Sequence, residues 1–204
     1  MTFQSPFQHV FSPGDAEKRP LLLLHGTGGN EHDLLDLADT VAPGRAVLSP
    51  RGRVTENGMP RFFRRFAEGK FDEEDVKLRA SELADFIAGA TKAYGVKAPI
   101  ALGFSNGANI AAALLVDHPN TLAGAVLLRA MAPYKAMPKA ALNEKPVLLV
   151  SGSMDNMIPK ADSDRLAQWL SDNGAAVSHK TWPTGHGLVQ QDIAAITAFL
   201  SEQD

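Results

Sequence analysis

Residues 101–115 read ALGFSNGANIAAALL. The apolar run from Pro99 to Phe104 ends where an Ala-rich, helix-favouring stretch begins, and Ser105 stands at that junction between Gly103 and Gly107. Two readings compete for the serine. A serine before a helix is a common N-cap, its hydroxyl accepting from a free amide of the first turn. Gly-x-Ser-x-Gly at a strand-to-helix junction is also the nucleophile-elbow pattern, a sharp turn that forces the serine into an unfavourable backbone conformation. Side chains two positions either side would collide with such a turn, which gives both glycines a steric reason. A strand-like run before and a helix-like run after supply the context the elbow needs.

Working outward, short continuous apolar runs recur at residues 20–25 (PLLLLH), 46–50 (AVLSP), 124–130 (GAVLLRA) and 146–152 (PVLLVSG). Runs of this form fit strands covered on both faces, as in a parallel sheet. Helical stretches lie between them. Residues 72–95 place Val76, Leu78, Leu83, Phe86, Ile87 and Ala90 near helical spacing behind an acidic first turn that suits the helix dipole. Residues 106–119 end at Pro119. Residues 159–174 open on proline and close at Gly174, and 190–204 form a last amphipathic helix. Residues 177–183 (VSHKTWP) alternate like a strand, and residues 7–15 (FQHVFSPGD) suit an antiparallel edge strand. Alternation of strand and helix predicts one α/β domain over residues 1–204, with a mostly parallel sheet of about seven strands and helices on both faces. The stretch 51–75, RGRVTENGMPRFFRRFAEGKFDEED, shows no clean period and reads as a long irregular connection, the kind that is usually functional or mobile.

The chain has 204 residues, 45% hydrophobic and 21% charged, which suits one compact domain. A net charge of -3 implies no broad basic face for nucleic acid. Cysteine is absent, which excludes disulfides, cysteine metal sites and a thiol nucleophile. The N-terminal residues lack a basic start followed by an apolar run, and no apolar run approaches the roughly 20 residues of a membrane helix. A cytoplasmic protein without membrane insertion is the expectation.

A serine hydroxyl needs a base, and the base needs an orienting group. In the elbow's class the partners follow in the order Ser, Asp or Glu, His, on loops after later strands. Asp155 follows the 146–152 run and His186 follows the 177–183 run, so order and placement are both met. Alone, Asp155 reads as an Asx-turn aspartate and His186 as a loop histidine between Gly185 and Gly187. The remaining need is an oxyanion hole of two backbone N–H groups. Asn106, next after the serine, supplies one; the loop HGTGGNEHD (residues 25–33) supplies the other, with Thr27 the donor and Gly28 its neighbour. A phosphate-binding reading of that loop lacks the Gly-Lys-Ser/Thr ending. His25 is read as holding the loop, and the remaining histidines show no metal-ligand spacing, so no metal or cofactor is expected.

Together, residues 21–38, 49–76, 103–115, 152–159 and 185–188 resemble the phospholipase/carboxylesterase family of small α/β-hydrolases. The 51–76 stretch is most similar to its bacterial branch, which includes enzymes associated with hydroquinone and quinone resistance. The resemblance implies a capless hydrolase of short-chain or aryl esters, sometimes of thioesters or lysophospholipids, usually a dimer. Asn156 stands where relatives often carry proline. Capless also follows from the chain itself, since only residues 131–145 separate two strand runs between which larger hydrolases insert a lid.

The pocket wall must then come from elsewhere. Gly28, the Phe62 and Phe63 of MPRFFRRF, and Met131 of MAPYKAM are expected to bind substrate, against the alternative that Phe62, Phe63 and Phe66 pack in the core. Arg51, Arg53, Arg61, Arg64 and Arg65 are read as pairing with nearby acids rather than binding an anionic substrate. Residues 126–130 and the terminal helices are candidate surfaces for a homodimer. The function expected is hydrolysis of a small-molecule ester by Ser105, His186 and Asp155, with activity falling on the acid side of neutrality. A thioesterase or lysophospholipase using the same residues stays open, as does a hydrolase-like binding module.

Overall fold

The structure, a computed structural model, describes residues 3–203. Eleven strands and five helices follow in the order β1 (His9–Ser12), β2 (Leu21–Leu24), α1 (Leu35–Val41), β3 (Val47–Pro50), β4 (Val54–Glu56), β5 (Met59–Arg61), β6 (Arg65–Ala67), β7 (Lys70–Phe71), α2 (Glu73–Tyr94), β8 (Ile100–Phe104), α3 (Asn106–Asp117), β9 (Gly124–Leu128), β10 (Pro146–Gly152), α4 (Lys160–Asp172), β11 (Ala176–Trp182) and α5 (Gln190–Ser201). Seven of the strands form one sheet in the order β1-β3-β2-β8-β9-β10-β11. Only β1 runs antiparallel, pairing β3 with His9 opposite Pro50. It is the expected edge strand.

The apolar runs explain why the sheet is covered twice. Side chains alternate across a strand. Accordingly Leu22 and Leu24 of β2 enter one core while Leu21 and Leu23 enter the other. The first core is closed by α2, α3 and α4, through residues such as Leu83, Ile110 and Leu166. The second is closed by α1 and α5, through Val41, Ile196 and Leu200. No helix among the described residues is long and apolar enough to cross a membrane.

After β2 the chain winds outward through α1 to β3, whereas after β8 it winds the other way through α3 to β9. The loops leaving the carboxyl ends of β2 and β8 therefore part, and in such sheets the crevice at this switch point is where ligands bind. Between β9 and β10 no helix or strand occurs among the described residues.

Three expectations need correction. Helix α1 has only seven residues and was not foreseen. Residues 51–75 are not one irregular connection but two small hairpins, β4–β5 and β6–β7. Asn57 and Gly58 turn the first with φ of 51° and 81°, the left-handed pair of a tight two-residue turn that Asn-Gly favours. Finally, residues 126–130 cannot form a surface for a second copy: β9 lies between β8 and β10, and these five residues are fully buried.

Candidate active site

Ser105 has φ 53° and ψ -113°, a conformation that L-residues hold only where the surroundings impose it. The glycines around it are required by contact. A Cβ on Gly103 would lie 2.7 Å from the Gly107 carbonyl oxygen, and one on Gly107 would run into the carbonyl of Leu24. The turn is pinned by Ser105 N–H donating to Leu128 O at 2.8 Å and Asn109 N–H donating to Ser105 O at 2.9 Å. The N-cap alternative does not hold, because the hydroxyl makes no hydrogen bond to the helix. It lies instead 2.9 Å from His186 Nε2.

His186 Nδ1 lies 2.7 Å from Asp155 Oδ2. A carboxylate only accepts, so Nδ1 carries the proton and Nε2 is left to accept from the serine. The turn reading of Asp155 is also realised, on its other oxygen: Oδ1 accepts from the amides of Met157 at 2.8 Å and Ile158 at 3.0 Å. Both readings coexist, and the turn fixes the carboxylate that faces the imidazole. Gly152 lets the two loops meet, since a Cβ there would lie 2.5 Å from the Gly185 carbonyl oxygen.

On the opposite side, Gly26 and Thr27 form the loop after β2. Among the described residues, neither the Thr27 nor the Asn106 main-chain N–H is engaged by a protein acceptor. First-turn helix amides such as that of Asn106 have no partner within their helix. His25 braces the loop: its Nδ1–H donates to Gly26 O at 2.6 Å and its Nε2 accepts from Gly52 N–H at 2.9 Å. Those two bonds define the tautomer, and burial pushes the imidazole below its ordinary pKa, so it stays neutral.

Hairpin β4–β5 straps the same loop. Arg61 Nη1 donates to Thr27 Oγ1 at 2.8 Å and Gly28 N–H donates to Pro60 O at 2.9 Å. The Phe62 amide donates to Asn106 Oδ1 at 2.8 Å. Three of the expected substrate contacts are thereby corrected. Gly28 faces the hairpin, with its amide already engaged. Phe62 and Phe63 are buried, their rings packed against His25 at 4.7 Å and Phe71 at 4.9 Å.

The pocket beside Ser105 is lined instead by Phe71, Phe104, Met131, Met157 and Ile158, with Arg61, Arg65 and Glu68 at a polar end. Met131 alone of the four expected contacts is there. Phe104 and the Met157–Ile158 pair adjoin residues the motif reading had singled out, so neighbourhood in sequence could have found them; nothing in the sequence pointed to Phe71. All five arginines of the segment are paired: Arg51 with Glu31, Arg53 with Glu82, Arg61 with Glu56, Arg64 with Asp72 and Asp75, Arg65 with Glu56 and Glu68. Hydrogen bonding from Arg65 holds the Glu56 carboxyl below the usual range. Among the described residues no group of three or more His, Asp or Glu could hold a metal ion.

A parallel sheet wound in both directions, with a strained serine at the carboxyl end of β8, is the architecture of an α/β-hydrolase. The chain belongs to the phospholipase/carboxylesterase family, whose profile matches residues 6–203. It is 43% identical over 187 residues to MhqD of Bacillus subtilis (strain 168), covering 91% of this chain and 93% of that protein. Among solved structures it is similar to a Bacillus cereus carboxylesterase, at 44% identity and a TM-score of 0.95, over 98% of this chain and 95% of the other. A Mesorhizobium loti carboxylesterase follows at 29% identity and a TM-score of 0.91, over 98% and 97% of the two chains. The protein is a carboxylesterase-type hydrolase.

Proposed function

We propose that the protein hydrolyses small carboxylic esters through an acyl-enzyme on Ser105. The observation that carries this is the relay at 2.9 Å and 2.7 Å from Ser105 through His186 to Asp155, set opposite the amides of Thr27 and Asn106. His186 Nε2 takes the hydroxyl proton as Oγ attacks the ester carbonyl, and Asp155 holds the imidazolium that forms. The two amides stabilise the oxyanion. The alcohol leaves with the proton from His186. Water, deprotonated by the same nitrogen, then releases the acid and restores the serine.

Pocket size supports a small acyl or aryl group. Its volume of about 190 Å³ falls below the roughly 300 Å³ at which drug-sized sites begin. On this reading the chain is one hydrolase domain acting on a small-molecule ester.

A second reading has its own observation. Met59, Phe66, Met154, Met157 and Leu188 are at least 40% exposed and lie on the segments that frame the pocket. Exposed apolar side chains on these segments suit a longer acyl chain running out over the surface, as in a lysophospholipid or an acyl thioester.

Stopped-flow hydrolysis of p-nitrophenyl acetate tests the first reading, with a matched thioester and a long-chain ester alongside. A burst of nitrophenol equal to the enzyme concentration supports the acyl-enzyme; no turnover of any of the three by folded protein removes it. A preference for the long-chain ester or thioester moves the assignment to the second reading.

A further inference from the structure

Arg129 follows directly on β9 and is fully buried, as is its partner Asp192 at the start of α5. A charge withdrawn from water is tolerated only when paired and fully hydrogen-bonded. Here all five guanidinium N–H donors find an acceptor, Nη1 also reaching Val150 O at 3.4 Å. Nη1 and Nη2 bind Asp192 Oδ1 and Oδ2 at 3.2 and 2.8 Å. Nε donates to Gly185 O at 3.3 Å and Nη2 to Gly187 O at 2.8 Å. The two carbonyls belong to the residues on either side of His186.

The loop is also tied by Met154 N–H donating to Thr184 O at 3.0 Å, by Val189 N–H donating to Asp192 Oδ2 at 2.7 Å and by the imidazole's own bond to Asp155, but the two main-chain carbonyls flanking His186 are held by Arg129. A Cβ on Gly187 would meet nothing within 4 Å, and one on Gly185 only the Met154 carbonyl oxygen at 3.7 Å. Neither glycine is dictated by space, and two glycines around one histidine add no stiffness of their own to the backbone. The arginine also sits at φ 56°, a strained angle held by its own N–H donating to Val150 O at 2.8 Å. The preceding carbonyl, Leu128 O, takes the Ser105 amide. One corner of chain thus touches both the serine turn and the histidine loop.

We infer that Arg129, clamped by Asp192, is a positioning residue that sets the distance between His186 and Ser105. This rests on the proposed role of His186 as the base. Proton transfer requires roughly 2.6–3.2 Å. At 2.9 Å the pair is within reach, and a drift of the loop by about 1 Å would take it out.

The test separates holding the fold from holding the base. Arg129→Met/Asp192→Leu replaces the ion pair by apolar groups of similar bulk, an exchange that buried pairs often survive without loss of stability, yet it frees both loop carbonyls. Each protein is titrated with a fluorophosphonate to count competent sites, and kcat and KM on p-nitrophenyl acetate are expressed per site. The expected result is native circular dichroism, kcat per site lower by on the order of 100-fold, and KM within about threefold. Arg129→Lys, which keeps the charge but not the fork, falls between. Should the double variant not fold, Asp192→Asn is read in the same way. A folded variant with wild-type kcat per site and wild-type labelling rate, changed only in melting temperature, would make the pair purely structural and overturn the inference. Wild-type protein that takes no label would instead remove the hydrolase mechanism on which the inference stands.

Discussion

Ser105 holds a backbone angle that costs an L-residue on the order of 1–3 kcal/mol, and its hydroxyl is directed at His186 rather than at the helix it precedes. The strain was legible because the glycines advertise it: the pattern needs them, and contact with Leu24 and Ala108 explains why. Gly107→Ala should therefore destabilise the protein by several kcal/mol or prevent folding, read by thermal melting; a neutral effect would mean the turn can relax. That Asp155 and His186 come together beside Ser105 was legible by order and loop placement. The pocket residues were less so, because an aromatic near a site in sequence does not reveal whether its ring points inward. Phe62 and Phe63 pack against the core, while Phe104, unremarked inside the serine motif, faces the pocket. Ser105→Ala should lower kcat by roughly 10⁴-fold or more with the melting temperature kept, measured on p-nitrophenyl acetate.

At the scale of elements, hairpin β4–β5 was the main thing missed. Asn57-Gly58 is a strong local turn signal, masked here by the arginines and phenylalanines that surround it. Its place in the molecule is to strap the loop that presents Thr27, through Arg61 and the Pro60 carbonyl. Arg61→Met removes the hydrogen bond to Thr27 Oγ1 and should lower kcat by about tenfold with a smaller change in KM, since on the proposed mechanism the Thr27 amide acts when charge develops on the substrate oxygen. Equal loss in kcat and rise in KM would instead point to a direct substrate contact. His25→Phe tests the other brace. It leaves the buried Gly52 N–H without its acceptor, which should cost about 1–3 kcal/mol by denaturant unfolding. Helix α1 escaped the sequence reading because seven residues carry too few turns for a period to show.

Across the whole molecule, the sheet was legible because strands buried on both faces write continuous apolar runs, and strand-helix alternation restricts the winding. What no run of residues declares is which helix covers which face, or that His25 is buried and His179 half-buried. Burial pushes His25 and His179 below their ordinary pKa. The unfolded chain then binds protons first as the solution acidifies, so their contribution to stability is complete above the ordinary histidine value, 6.5, and is lost as the pH falls from there through the lowered folded values. Melting temperature should decline over that window. Activity should be lost in acid for a separate reason, since a protonated His186 cannot accept from Ser105. Circular dichroism and ester hydrolysis measured together from about pH 8 to pH 5 distinguish the two: a rate that falls while the fold is intact is expected, and a flat rate contradicts the mechanism.

The most direct measurement is intact-mass spectrometry after exposure to a fluorophosphonate, on wild type and Ser105→Ala. We predict one adduct on the wild type and none on the variant, as an activated serine requires. No adduct on folded wild type, or an equal adduct on Ser105→Ala, would contradict Ser105 as the nucleophile.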